Sequence, residues 1–407
     1  MKHKFATFIL SFIFSSYFSS ASAKTFDEYI ADVLENLTVI KVAKANINAE
    51  KHRQVSADYY FSPVITSVAQ YSSDKTNVDD SDEKSEVTLT GRVKLYSSDV
   101  LHKKDETNFK VSSAYNNLHI QEESVIVNVT KNMISIRYYE NLRDLGLKLK
   151  KSASELLMEI ENQYKNGTAS KNDVTRTQLL VNKIDNEISS SDEQISLLKS
   201  NIELATEQPY PENGVEIESS YIEFVQNYEP VINDLTNNLS YLSLMIQSDI
   251  SESVARQQDP LISVNITGES AFKEENDWQN ESEINLSLQL NLFSLTKKQE
   301  EKALLESSIA SDLQVELKLS ELKNNLKTLN LLEASHAKEL GNLNEQIQQT
   351  QFVISTHNDE YLIGKVSLYE MLNTRLDLFM LNKQKTEVEI ENFQNKIDML
   401  QLTGGIR

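Results

Sequence analysis

The 407-residue sequence contains no cysteine. That absence excludes a disulfide framework, thiolate metal sites and a cysteine nucleophile, and with them a lipid anchor on an N-terminal cysteine. Histidine is scarce, six residues with no pair at metal-ligand spacing. The nine glycines build no phosphate-binding loop. No nucleophile stands beside a base, so no catalytic residue, metal ligand or cofactor is assigned and an enzyme is not expected. Positive charge is also short, with 40 Lys and Arg against 61 Asp and Glu, a net charge of -21. Nucleic-acid binding needs a basic stripe to displace counterions, and the chain offers none.

The chain opens with a basic segment, Lys2, His3 and Lys4, followed by the short apolar run FATFILSFIFSSYF and the small-residue site Ala21-Ser22-Ala23. This order predicts a signal peptide over 1–23, cleaved between Ala23 and Lys24. The apolar run is too short for a comfortable membrane span. Removal of Lys2 and Lys4 makes the mature chain more acidic still.

Two short stretches, QYKNGTASKNDV and EYLIGKVSLYEM, share a pattern and a constant offset. Tyr164 and Tyr361 are 197 residues apart, as are Gly167 and Gly364, and Asp173 and Glu370. The offset also matches Pro63 to Pro260, VTLTGRVKLYSS to INLSLQLNLFSL, and Thr206 to Thr403. A gap-free register over so long a span reads as an internal duplication. The predicted units are 24–206 and 220–407, joined by a connector over 207–219.

Within each unit the hydrophobic period changes. Thr25 to about Tyr59 and Ser220 to about Gln258 favour helix, and a proline then ends each. Val87, Leu89, Val93 and Leu95 alternate with Thr88, Thr90, Arg92 and Lys94, and Ile284 to Leu292 alternate with Asn285 to Asn291. Such alternation predicts strands with one apolar face, over 86–96 and 284–293. Weaker partner strands fall at 63–71 and 260–268. The acidic stretches SSDKTNVDDSDEKSE and ESAFKEENDWQNESE between them are expected to be loops.

The remainder of each unit lacks proline and predicts helical hairpins over 99–206 and 296–403. Each first arm approaches 70 residues, about 100 Å at 1.5 Å per residue. Leu340, Leu343, Ile347, Ile354 and Tyr361, with Thr350 and His357, keep heptad spacing and predict a seam against another helix. Gly167 and Gly364 end the long arms because glycine accepts left-handed φ. Thr168, Ser170 and Ser367 are then available to cap the return helices, with Asp173 and Glu370 in their first turns.

Four amphipathic strands leave two open edges and one apolar face uncovered. With Tyr71, Tyr96 and Phe293 near strand ends, that is the pattern of a transmembrane barrel, which four strands cannot close and three copies would. A small soluble β-subdomain capped by helices is the alternative reading of the same pattern.

The double Tyr-x-x-Gly turn, LNTRLDL after the second turn, the strand exits VKLYSS and LNLFSL and the paired prolines resemble the TolC family of outer-membrane efflux and secretion channels. The resemblance spans nearly the whole mature chain. It implies a mainly α fold with a small β part: a homotrimer with a 12-stranded barrel in outer-membrane lipid, continuous with a periplasmic helical tunnel. It further implies a Gram-negative outer-membrane location. The implied function is passive export, in a tripartite efflux pump or type I secretion system, with a periplasmic adaptor and an inner-membrane ABC or proton-driven transporter.

In that resemblance the turns carrying Tyr164, Gly167, Tyr361 and Gly364 correspond to periplasmic tips that contact the adaptor. Glu370 matches one acid of an entrance ring, Asp173 is a second candidate, and the position a turn later is the uncharged Asn373. Simple helix-start roles for both acids weigh equally. The short connector and the stop at Arg407 lead to an expected reduction of the girdle around the tunnel. A periplasmic adaptor and a secreted coiled-coil structural protein are the rival readings. The former has one hairpin in a glycine-containing β-rich segment, and the latter needs no paired strands.

Overall fold

The computed structural model describes residues 24–406 apart from 78–79, 258–261, 275–277 and 291–293. The signal segment with Ala23, and Pro260, Leu292 and Phe293, lie outside the described residues.

The chain starts with a two-residue strand, β1 (Lys24–Thr25), and α1 (Phe26–Asn36). Thr25 and Glu28 close a capping box at the start of α1. The helix expected to run unbroken from Thr25 divides at Leu37, which is extended and 2% exposed. The break is held from far along the chain. The Thr38 backbone N–H (3.2 Å) and its hydroxyl (2.6 Å) donate to the Glu207 carboxylate, which caps α2 (Thr38–Asp58). That helix stops before Pro63 through a turn in which Ser62 N–H donates to the Tyr59 carbonyl at 2.9 Å.

Two long strands follow, β2 (Val64–Asn77) and β3 (Asp80–Ser97). Next come α3 (Val100–Lys165), α4 (Lys171–Thr206), β4 (Val215–Glu216) and α5 (Ser219–Gln226). A 3₁₀ turn over Ile232–Asn237 leads into α6 (Leu239–Gln257), β5 (Ile262–Glu274) and β6 (Trp278–Leu290). The chain ends with α7 (Leu295–Leu362) and α8 (Leu368–Leu402). Of the connector 207–219, β4 pairs in parallel with β1, tying it to the first described residues.

The four long strands form one antiparallel sheet in the order β2-β3-β5-β6, so β2 and β6 are its edges. The strands run well beyond 63–71 and 86–96. The acidic stretches expected to be loops are largely strand, with Asp74 opposite Asp82 and Glu274 opposite Trp278. A ladder is closed by backbone hydrogen bonds, so it needs no apolar alternation to continue.

α3 has 66 residues and α7 has 68, each about 100 Å long. No single apolar stripe runs down α3, because its neighbours change along its length. It packs on α2 and α6 near its start and on α4 and α8 farther along. The expected seam of α7 faces α8: Leu343, Ile347 and His357 are buried, and Leu340, Thr350, Ile354 and Tyr361 are partly buried.

One core joins α1, α2, the middle of α3, the end of α4, Val225 of α5 and the end of α8 through Tyr29, Val33, Ile40, Ile134, Ile202 and Phe393. A second, nearer the Gly turns, joins α3, α4 and the start of α8.

Glu106, 4% exposed on the first turns of α3, ties the start of α3 to the end of α6. Its carboxylate accepts hydrogen bonds from Lys103 (2.8 Å), from Lys110 and from Gln257 (2.8 Å) at the end of α6. Gln257 also donates to the His102 carbonyl at 3.3 Å. The exit of β3 and the entry to β5 are thus held together. Burial raises the Glu106 pKa, but the bonds from Lys103, Lys110 and Gln257 outweigh it and bring it down to about 2.

A carboxyl depressed in the folded state adds stability that is whole above its unfolded pKa and is lost as pH falls toward 2. Glu106→Gln is therefore expected to destabilise the protein at pH 6 by roughly 2 kcal/mol and hardly at all near pH 2. Thermal unfolding of the purified protein at both pH values checks this, and an equal loss at both would refute it.

Candidate functional site

The two Gly turns are built alike. In the first, Gly167 has φ +76°, Gly167 N–H donates to the Tyr164 carbonyl (3.0 Å) and Thr168 N–H to the Gln163 carbonyl (2.9 Å). In the second, Gly364 has φ +73°, Gly364 N–H donates to the Tyr361 carbonyl (3.0 Å) and Lys365 N–H to the Glu360 carbonyl (2.8 Å). Both are Schellman closures, in which a left-handed residue lets two N–H groups reach back to the last helical carbonyls. Thr168 does not cap the return helix. Its hydroxyl donates to the Gln163 carbonyl at 2.9 Å and closes the preceding one.

The acids after the two turns do different work. Asp173 is tied into a capping box: its carboxylate accepts from Ser170 N–H (3.0 Å) and the Ser170 hydroxyl (2.8 Å), while its own N–H donates to that hydroxyl at 3.2 Å. Glu370 N–H donates to the Ser367 hydroxyl at 3.2 Å, but its exposed carboxylate has no hydrogen-bond or ion-pair partner among the described residues. Asn373, one turn on, is partly buried.

The tyrosines also differ. Tyr164 is half-exposed, whereas Tyr361 packs on the core of Ile160, Leu180, Ile184, Leu368 and Met371. Burial, then the Asp173 and Glu159 carboxylates, push the Tyr361 phenol above its usual pKa and keep it neutral. Arg176 lies 5.1 Å over the Tyr369 ring, a cation–π contact between the two return helices. The two turns, 197 residues apart in sequence, therefore stand side by side at one end of the helices. Sequence spacing marks the turns but carries no sign of this contact.

At the other end the sheet presents two unlike faces. Ile284, Leu286, Leu288 and Leu290 of β6 stand opposite Gly268, Ile266, Val264 and Ile262, and this face continues across β3 through Val93, Gly91, Leu89 and Val87. Nothing covers it among the described residues: Ile284 is 83% exposed and Leu290 50%. An apolar patch of this extent is not left to water.

Tyr96, beside the end of β3, and Tyr71, opposite Ser85, belong to the same face. They are about 35 Å apart along the strand, or about 25 Å along the normal of a sheet tilted by 45°. Tyr71 is thus not near the end of its strand, because β2 continues past it to Asn77. The opposite face carries Arg92, Lys94, Asn265, Thr267, Asn285 and Ser287. No described helix is long and apolar enough to cross a membrane.

Known structures share this arrangement of sheet, long hairpins and turns. The chain superposes on CusC with a TM-score of 0.78 over 93% of its length and 92% of that chain, at 11% identity. On the outer membrane protein VceC from Vibrio cholerae the TM-score is 0.77, over 93% of this chain and 96% of that one, again at 11% identity. For the open-state MtrE outer membrane channel of Neisseria gonorrhoeae it is 0.76, over 93% and 89%, at 13% identity. The chain has the fold of an outer-membrane channel. No family model matches the sequence, and no curated protein matches it.

The Gly turns and the sheet thus lie at opposite ends of the long helices. Among the described residues no cluster of His, Asp or Glu is arranged to hold a metal ion. The resemblance drawn from the Tyr-x-x-Gly turns and strand exits extends to the fold as a whole. Side-chain identity is nearly absent at 11–13%, so what persists is the pattern of periods, turns and lengths.

Proposed function

We propose that the protein is one protomer of an export duct in the outer membrane of a Gram-negative bacterium. Three copies close a 12-stranded barrel, continuous with a periplasmic helical tunnel. Cargo passes from an inner-membrane ABC or proton-driven transporter, with an adaptor protein seated on the turns around Gly167 and Gly364. The duct performs no chemistry and serves a tripartite efflux pump or a type I secretion system.

The observation that carries this reading is the sheet, whose open edges and exposed apolar face have no use for one copy in water. Its strands of 13 to 18 residues are long enough to cross a bilayer when tilted. A second observation supports self-association. Leu305, Ile309, Leu313 and Leu317 recur every four residues along α7 and are all exposed, an apolar ridge suited to a neighbouring helix. An adaptor or a secreted coiled coil would leave the exposed apolar face of the sheet unexplained.

Fractionation tests the reading: the mature protein is expected in the outer membrane as a trimer. Recovery as a soluble periplasmic monomer would overturn it.

In this duct the Glu370 carboxylate, which makes no capping bond among the described residues, repeats three times about the axis near the entrance, while Asp173 serves its helix. Glu370→Gln is expected to change single-channel conductance or cation block in planar bilayers. Asp173→Asn is expected to leave conduction alone and cost about 1 kcal/mol of stability. Unchanged conduction in Glu370→Gln returns that residue to a helix-start role.

A further inference from the structure

A chain of net charge -21 holds a positively charged cavity. About 850 Å³ in volume, it lies where the polar face of the sheet meets α2 and α3. Its wall includes Arg53 of α2, Arg92 and Lys94 of β3, and Lys103 and Lys110 of α3, with Asp99 as the one carboxylate among the described lining residues. Arg53 pairs with Glu50, and Lys103 and Lys110 share Glu106. Arg92 and Lys94 have no carboxylate within salt-bridge reach among the described residues. Even with Glu50, Glu106 and Asp99 counted against the five cations, an excess of two positive charges remains.

The strand register gives this charge a direction. Lys94 stands opposite Asn265 and Arg92 opposite Thr267, on polar-face rows close to the helices. The next polar-face row outward is acidic, with Glu269 opposite both Thr90 and Glu283. Cations therefore mark the junction of helices and sheet, and carboxylates lie beyond it. No bulk composition would suggest the segregation, since the chain as a whole repels anions.

We propose that this cavity is an anion-binding vestibule, which selects cargo bearing a carboxylate, phosphate or sulfate group as it passes from the helical tunnel into the barrel. The proposal rests on the duct reading. An unpaired guanidinium presents a planar fork of donors matched to such oxyanions. A concave wall of low dielectric focuses the field of like charges, and rings of Arg and Lys are how pores favour anions. Three copies about one axis would make such a ring of Arg92 and Lys94.

The test uses the full-length mature protein in planar bilayers under a KCl gradient, where reversal potential gives the Cl⁻ to K⁺ permeability ratio. The Arg92→Gln, Lys94→Gln double variant is expected to shift that ratio toward K⁺ by about threefold or more. The Glu269→Gln, Glu283→Gln variant is expected to shift it toward Cl⁻. An unchanged ratio in the first variant, with channels still opening, overturns the vestibule and leaves the duct intact. If the first variant fails to insert, the single Lys94→Gln variant decides, and an unchanged ratio there overturns the vestibule equally. Absence of any conductance from the wild-type protein sinks the duct reading itself, and the vestibule with it.

Discussion

Cells carrying Gly167→Val together with Gly364→Val are expected to lose at least nine-tenths of their adaptor-dependent export while still inserting the protein in the outer membrane. Both glycines have left-handed φ, +76° and +73°, and a Cβ at either meets no atom within 4 Å. The penalty is thus wholly in the backbone, about 1–2 kcal/mol per turn for an ordinary residue and more for a β-branched one. Relief requires abandoning the two N–H bonds that close each long helix.

With 1.4 kcal/mol worth a factor of ten, two strained turns per protomer suffice to disorganise a docking surface. The sheet is remote from the turns, so insertion is expected to be unaffected. Asparagine tolerates left-handed φ, so Gly167→Asn with Gly364→Asn is expected to recover most export. Equal failure of the Asn and Val pairs would show that side-chain bulk, and not backbone conformation, is what matters there. Normal export in the Val pair would remove the turns from function.

The second large effect is expected at Phe379, on α8 and 1% exposed. Its ring lies where α3 approaches closely enough to need Gly146: a Cβ there would come within 3.3 Å of the Phe379 ring and 2.8 Å of the Ile188 side chain on α4. Phe379 thus fills the junction between the two hairpins. Phe379→Ala is expected to lower unfolding free energy by about 3–5 kcal/mol, from lost burial and the cavity left behind. Gly146→Val attacks the same place by overpacking, at about 1–3 kcal/mol. Denaturant unfolding of the purified protein measures both, and a loss under about 1 kcal/mol for Phe379→Ala would mean the junction closes over the gap.

The long arms, their glycine ends and the amphipathic strands were legible because each rests on local physics. A helix favours Leu, Lys, Glu and Gln without proline, a strand half in lipid alternates, and a left-handed residue after a helix is best a glycine. The constant 197-residue offset joins these local signals into a duplicated unit, and it is the family resemblance of the turns and strand exits that implies the fold at so low an identity to known structures. The hairpin strands extend beyond their alternating segments because pairing is a property of the backbone. Residues such as Asp74 and Asp82 carry no alternation signal, yet the backbone ladder runs through them.

The sequence by itself determined the order and type of the elements, the positions of the two turns, the acidic balance and the two faces of the sheet. Tertiary structure alone decided which distant residues meet. Glu207 ends one helix and starts another by capping Thr38, 169 residues away. Glu106 gathers Lys103, Lys110 and Gln257. Asp173 closes its own cap while Glu370 stays free, although spacing makes them equivalents. Arg92 and Lys94 belong to the alternating polar set in sequence, and only the packing of α2 and α3 beneath the sheet turns them into the wall of a charged cavity. Periodicity is a property of neighbours along the chain, whereas charge pairing and cavities depend on neighbours in space.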